Sequence, residues 1–210
     1  MALTLMGLVL TTIFSGLYGL TRAWSRAEIL AEENDATRMG LSLLRRILSE
    51  SVPITRVDGQ NPAVLFQGEA DALRWVAPLP SHAGGTGLYW TELSVHRTAL
   101  GESQLVVTYM PLRPDTLPST ASFEHDSESV VLAEGAEQLE IAYYGTSQED
   151  LAPRWQASWA AIDRLPTLVR LTLRQRAGEV AWPPLVVPLR IPAQRGQPQW
   201  TLIAPQTVSG

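Results

Sequence analysis

The first twenty-one residues carry no charged side chain, and this feature limits the fold of the chain more than any other. At a rise of 1.5 Å per residue, about twenty helical residues cross the roughly 30 Å hydrocarbon core of a bilayer, so residues 1–21 are just long enough to span it. A secretory signal peptide would need a basic region before its apolar stretch, and none precedes this one. The segment therefore predicts a membrane-embedded helix, with a buried helix of a soluble protein as the alternative.

The residues that follow predict that this helix continues. No proline occurs before Pro53, and beyond residue 21 apolar residues recur close to the 3.6-residue helical period, with charged residues between them. Pro53 disfavours helical geometry at the preceding residue, so the helix should end near Ser51. We therefore expect one helix over residues 1–51, membrane-embedded in 1–21 and amphipathic in 22–51.

After Pro53 the pattern changes to the two-residue alternation that is typical of β-strands. The predicted strands are residues 73–79, 88–98, 103–110, 138–144, 168–175 and 185–191. In the run 168–175, leucine and valine alternate with arginine and threonine, which predicts a sheet with one buried and one wet face. No helical crossover of sufficient length separates the later strands, so the sheet should be antiparallel. The fold class is thus α+β, a long N-terminal helix followed by an antiparallel β domain over residues 52–210.

Two long connections stand out between and after these strands. Residues 111–129 contain three prolines and are expected to form an exposed, mobile loop. The last residues, from 192 onward, are expected to form a partly tethered tail.

The composition excludes several kinds of chemistry. All sixteen basic residues are arginine, so a phosphate-binding loop lysine and a Schiff-base lysine are excluded, and the absence of cysteine excludes disulfides and thiolate nucleophiles. The net charge of -5, with arginine spread along the chain, gives no basic stripe for nucleic acid. We expect no cofactor and no enzymatic activity, although an active site assembled from distant residues of a periplasmic enzyme or ligand-binding domain is the competing hypothesis.

The candidate metal ligands are sparse. His82, His96 and His125 are scattered, without a second ligand four residues away. The only dense set of possible oxygen ligands lies between Glu124 and Glu128, and its spacing differs from that of a calcium-binding loop. A solvated acidic loop is the favoured interpretation, with ion binding as the alternative.

Seven tryptophans are the remaining unusual feature. Most should pack in the core, because aromatic residues of β proteins usually bury their rings. Trp155 and Trp159, in the segment RWQASWAAIDRLP, are the best candidates for a surface that meets a partner, since tryptophan is enriched at contact hot spots.

Several stretches resemble one protein family. The segment ALTLMGLVLTTIFSGLYGLTRAWSRAE resembles the helix of type IV pilin-like proteins, and within them of the J-type minor pseudopilins of the type II secretion system. SVVLAEGAEQLEIAYYG at 129–145, the pattern of two tryptophans followed by LPTLVRLTL at 155–173, and WPPLVVPLRI at 182–191 are similar to later segments of J-type members. The resemblance covers most of the chain.

The resemblance implies a structural subunit of a pseudopilus tip complex that assists protein export across the outer membrane. Its partners would be the I-type and K-type minor pseudopilins, possibly the H-type, and the major pseudopilin. The helix would lie in the inner membrane as a single pass, with the β domain in the periplasm, and methylation is a further family property. Helix packing would involve Leu10, Phe14, Leu17 and Trp24. A minor pilin of a type IV pilus or DNA-uptake system is the alternative within the same fold.

One family feature is missing from the sequence. The glycine and phenylalanine of the prepilin processing site, with the acidic residue that follows, would lie upstream of Met1. We therefore expect a start codon assigned too late, about eight positions into the mature helix. The genomic frame upstream tests this expectation, and a stop codon immediately before Met1 would count against it.

Overall fold

The computed structural model describes residues 37–58, 61–79, 87–113, 123, 127–146, 152–159, 163–176, 182–189 and 201–203. Within these ranges the chain forms one helix, α1 (37–49), and twelve strands. The strands are β1 (Thr55–Asp58), β2 (Asn61–Val64), β3 (Phe66–Gly68), β4 (Leu73–Pro78), β5 (Leu88–Arg97), β6 (Ser103–Pro111), β7 (Glu128–Glu134), β8 (Ala136–Gly145), β9 (Arg154–Gln156), β10 (Leu168–Gln175), β11 (Leu185–Pro188) and β12 (Thr201–Ile203).

The helix ends where the sequence predicts. Residue 49 is the last helical residue, two positions before Ser51. The buried Ser51 donates hydrogen bonds from both its backbone N–H and its hydroxyl to the carbonyl of Leu48. These bonds satisfy a carbonyl that has no partner within the helix. The expected membrane-embedded segment and the rest of 1–36 lie outside the described residues, and no helix among those described has the length and apolarity to cross a bilayer.

All six predicted strands are confirmed, as β4, β5, β6, β8, β10 and β11. The sequence missed six others, of which five have only three or four residues. Two expectations need correction. The expected loop 111–129 is shorter at both ends, because Pro111 ends β6 and residues 128–129 begin β7. The sheets are also not wholly antiparallel, because β12 pairs with β1 in parallel, and this pairing tethers the tail.

The strands form three sheets. The largest is a five-stranded antiparallel meander in the order β3-β4-β5-β6-β7, the second has four antiparallel strands in the order β11-β10-β8-β9, and the third has the order β12-β1-β2. The chain passes from the first sheet to the second at Gly135, whose φ of 64° lies in the left-handed region that favours glycine. A single residue can therefore redirect the strand into the other sheet.

The main hydrophobic core lies between α1 and the inner faces of the two larger sheets. Leu44, Ile47 and Leu48 of the helix share one cluster with Trp75 of the five-stranded sheet and Val169 of the four-stranded sheet. The indole N–H of Trp75 donates to the carbonyl of Ile47 at 3.4 Å, which links β4 to the last turn of the helix. The apolar stripe of the amphipathic helix therefore holds both sheets together.

The two larger sheets also contact each other directly. The hydroxyl of buried Tyr143, on β8, donates to the carbonyl of Glu69 at 2.7 Å, and the backbone N–H of Ile141 donates to the carbonyl of Ala70 at 2.7 Å. At Gly68 a β-carbon would lie 2.7 Å from the Tyr143 ring. This close approach explains why glycine occupies that position.

Candidate interaction surface

The outer face of the four-stranded sheet carries an apolar row that crosses all four strands. Leu168 is paired with Pro188 of β11 and with Tyr144 of β8, and Tyr144 is paired with Trp155 of β9. Because directly paired residues project to the same side of a sheet, these four side chains lie side by side on one face. Their opposite neighbours Val169 and Tyr143 are buried in the core, so the row is on the outside.

Trp155 lies at the β9 edge of this face, and it is 39% exposed. Its ring lies 5.3 Å from the Tyr144 ring at an angle of 51°, and the guanidinium carbon of Arg170 lies 4.6 Å from the ring centroid. The tilted aromatic pair and the cation over the indole fix the ring in place. The predicted contact residue Trp155 is therefore both accessible and held rigidly.

Trp159 occupies a different environment, although it lies only four residues later. It is 5% exposed, its indole N–H donates to the carbonyl of Arg164 at 3.0 Å, and its backbone pairs with Gly68 of the five-stranded sheet. A β-carbon at Gly145 would lie 2.7 Å from its ring. Trp159 thus packs at the junction of the two sheets and offers no exposed surface to a partner, so the predicted β-domain contact rests on Trp155.

Sequence reasoning missed Arg170 and Val186 as parts of this face. Val186 is 45% exposed and is paired with Arg170, which is itself exposed. The alternation in 168–175 placed Arg170 on the wet side, but only the register of β8 with β9 and β10 brings it over Trp155. No signal in the linear sequence gives that register.

The described part of the helix has one side that faces the core and one side that is exposed. Leu44, Ile47 and Leu48 point into the core, whereas Met39 is 72% exposed and Arg45 and Arg46 face outward. The predicted packing residues Leu10, Phe14, Leu17 and Trp24 lie outside the described residues, so their roles stay predictions.

The titratable groups of the described residues form pairs rather than a metal centre. No group of three or more histidine, aspartate and glutamate side chains in these ranges is placed to hold a metal ion. Of the acidic stretch, only Glu128 and the neighbouring Ser127 are described, and Glu128 accepts a hydrogen bond from Tyr109 at 2.9 Å. Burial, and then this bond, raise the pKa of Tyr109 above its ordinary value. His82 and His125 lie outside the described residues, and His96 is an exposed strand residue bonded to the hydroxyl of Ser94.

A partly buried group of ion pairs lies on the five-stranded sheet. The guanidinium of Arg74 contacts the carboxylate of Glu92 at 3.1 Å and that of Glu69 at 3.0 Å. Burial lowers the pKa of Arg74, but the hydrogen bonds and charges of Glu92 and Glu69 more than offset it and leave the pKa raised. An arginine keeps its charge in either case, so the guanidinium of Arg74 stays positive at neutral pH and holds both carboxylates.

A solved structure has a similar fold. The chain is similar to a chain in the crystal structure of the GspK-GspI-GspJ complex from the enterotoxigenic Escherichia coli type 2 secretion system, with a TM-score of 0.53, 18% identity, and coverage of 77% of this chain and 99% of that one. No protein-family model matches the chain. The helix packed against antiparallel sheets is therefore the fold of a subunit of this secretion complex.

A curated relative identifies the family. The type II secretion system protein J of Xanthomonas campestris pv. campestris is 32% identical over 185 residues, which cover 86% of this chain and 84% of the relative. The chain belongs to the type II secretion system protein J family.

Proposed function

We propose that this chain is a structural, non-catalytic subunit of the pseudopilus tip of a type II secretion system and assists protein export across the outer membrane. The observation that carries the proposal is the 32% identity to a protein J over most of both chains. The packing of α1 against both sheets supports it, because a rigid helix and β domain suit a subunit that is built into an assembly.

The proposed partners are the I-type and K-type minor pseudopilins, with the H-type and the major pseudopilin as further neighbours. Support comes from the similar structure, which is of a complex of GspK, GspI and GspJ. A type IV pilus or DNA-uptake role, open from the sequence pattern, has no comparable relative in its favour.

We further propose that residues 1–51 form one pilin-type helix and that residues 52–210 form a β domain in the periplasm. The helix would cross the inner membrane once before assembly and then pack among sister helices. The uncharged residues 1–21 support this, and so does the direction of α1, which Leu44, Ile47 and Leu48 fix against the sheets. The packing contacts in the membrane would be made by Leu10, Phe14, Leu17 and Trp24.

Co-purification tests the assignment. The full chain, solubilised in detergent, should be recovered with the I-type or K-type pseudopilin of the same organism. Replacement of Leu17 by Asn together with Trp24→Ala should reduce that recovery while the protein stays in the membrane fraction. Leu100→Asn is the matched control, because Leu100 is 88% exposed in a hairpin turn of the β domain.

Export in cells gives a second measurement. Deletion of the gene should abolish secretion of a reporter substrate, and the wild-type chain should restore it. If the wild-type chain bound neither pseudopilin and its loss left secretion intact, the proposed function would fail.

A further inference from the structure

We propose that the outer face of the four-stranded sheet, centred on Trp155 and Arg170, docks a sister minor pseudopilin that presents a carboxylate beside an apolar side chain. This inference rests on the proposed function, since it names the surface through which one partner is held.

The outer face of the four-stranded sheet is rich in apolar side chains. A sheet face in contact with water is ordinarily polar, yet Pro188, Leu168, Tyr144 and Trp155 form a row across the full width of this sheet. Val186 lies beside this row, two residues before Pro188 on β11, and adds a further apolar side chain that is 45% exposed. Trp155, Pro188 and Val186 are exposed and Leu168 and Tyr144 are partly exposed, and an apolar surface of this kind is a mark of a protein contact site.

At the β9 end of the row, Trp155 has defined side-chain contacts. The indole of Trp155 is held between Tyr144 and Arg170, so little conformational freedom remains to be lost when a partner binds. Tryptophan and arginine are also the residues most enriched at the energetic centres of interfaces.

The same face carries more positive than negative charge among its described residues. Arg170 and Arg174 are both exposed on this face, and Glu140 is the acidic residue among the described positions of β8 and β10 that shares it. Among the described residues no carboxylate forms an ion pair with Arg170, whose guanidinium stacks on the indole of Trp155. The stacked guanidinium can still offer a fork of N–H donors to a carboxylate, so the complementary surface is acidic around an apolar centre.

Charge also selects a sister subunit over a second copy of this chain. In a symmetric dimer the same patch faces itself, so two surfaces that each carry Arg170, Arg174 and one described carboxylate, Glu140, would meet with net positive charge on both sides. Surfaces of like net charge disfavour such a contact. A different subunit can supply more carboxylates than the single Glu140 of this face.

The test measures the affinity of the full chain, in detergent, for the I-type and the K-type pseudopilins separately. We expect Trp155→Ala and Arg170→Met each to weaken binding of one of them by about tenfold. Arg170→Lys should show a smaller loss, because it keeps the charge and gives up the planar fork. The matched control is Arg174→Met, which removes the same charge from the same strand and face without touching Trp155, and it should change the affinity by less than about threefold.

Thermal unfolding provides the folding control, and the midpoints of the variants should stay close to that of the wild type. Equal affinity of wild type and all variants would overturn the docking surface and leave the proposed function standing. A wild-type chain that binds neither pseudopilin would instead count against the proposed function itself. Self-association that Trp155→Ala abolishes would identify a second copy as the occupant and overturn the choice of a sister subunit.

A photo-crosslinker gives an independent readout of the same surface. Placed at Val186, it should capture the pseudopilin that Trp155→Ala weakens, whereas the same group at Leu100 should not. Capture at Leu100 but not at Val186 would place the contact elsewhere on the β domain.

Discussion

The two larger sheets bury their inner faces in the same core but differ in what covers their outer faces. On the five-stranded sheet, Val76 and Trp90 are covered by Ile54 and Leu65, which form a second hydrophobic cluster with them. On the four-stranded sheet, the described residues provide no such cover over Trp155, which is 39% exposed. The outer face of the five-stranded sheet is thus covered within the chain at Trp90, whereas that of the four-stranded sheet leaves Trp155 accessible.

This difference shows how one strand pattern can serve stability in one place and recognition in another. Trp90 and Trp155 both project from the outer side of a sheet, and both have aromatic or apolar cross-strand neighbours. The segment after α1 folds back over Trp90, because the backbone N–H of Leu65 bonds to the carbonyl of Ile54 and that of Val52 to the carbonyl of Val76. Trp90 therefore contributes to folding, whereas the proposed role of Trp155 is in binding.

The largest effect is expected on the closed face. Trp90→Ala should lower the free energy of unfolding by about 3–5 kcal/mol, because Trp90 is 1% exposed and its removal leaves a cavity beneath Ile54 and Leu65. Denaturant unfolding followed by circular dichroism measures this. A loss below about 1 kcal/mol would mean that the second cluster does not close this face.

The junction between the two sheets should show the next largest effect. Gly68→Ala would place a β-carbon 2.7 Å from the Tyr143 ring and 2.9 Å from the β-carbon of Trp159, so we expect a loss of about 1–3 kcal/mol. Gly87→Ala is the matched control, since a β-carbon there meets nothing within 4 Å. Equal unfolding midpoints for the two variants would contradict the close packing of the sheets at Gly68.

The sequence could predict the elements of this arrangement but not their assembly. Alternation in 168–175 correctly placed Val169 inside and Arg170 outside, and Pro53 correctly marked the end of the helix. Trp155 and Trp159 lie in one short segment and looked equivalent, because their difference comes from the pairing of Trp159 with Gly68, about ninety residues earlier in the chain. Short strands such as β3 and β9 have too few residues for a two-residue period to be visible.

The junction should also make stability depend on pH in the alkaline range. Burial raises the pKa of Tyr143 far above its ordinary value, and its hydroxyl donates a hydrogen bond to the backbone carbonyl of Glu69. Above a pH of about 10 the unfolded chain loses this proton while the folded chain keeps it, so the free energy of unfolding should fall by about 1.4 kcal/mol per pH unit. Below that pH the two states bind the proton equally, and the stabilising contribution is fully present.

Tyr143→Phe isolates this contribution from that of the other tyrosines. The variant should be less stable than the wild type at neutral pH, because it gives up the bond to Glu69, and its stability should decline less steeply above pH 10. Unfolding curves measured at several pH values between 8 and 11 provide both quantities. Parallel pH profiles for the two proteins would show that Tyr143 does not stay protonated at the junction.

The smallest effect on folding is expected on the open face, and it is the sharpest test of the comparison with Trp90. Trp155→Ala should lower the free energy of unfolding by less than about 1 kcal/mol, because an exposed ring gives up only a tilted stack on Tyr144 and a solvent-accessible contact with Arg170. The same unfolding measurement applies to both variants, so the two tryptophans can be compared directly. If Trp155→Ala destabilised the chain as much as Trp90→Ala, the ring would have to belong to a packed core, and the outer face of the four-stranded sheet would be closed like that of its neighbour. A small loss of stability combined with a large loss of pseudopilin binding is the outcome that separates a recognition surface from a structural one.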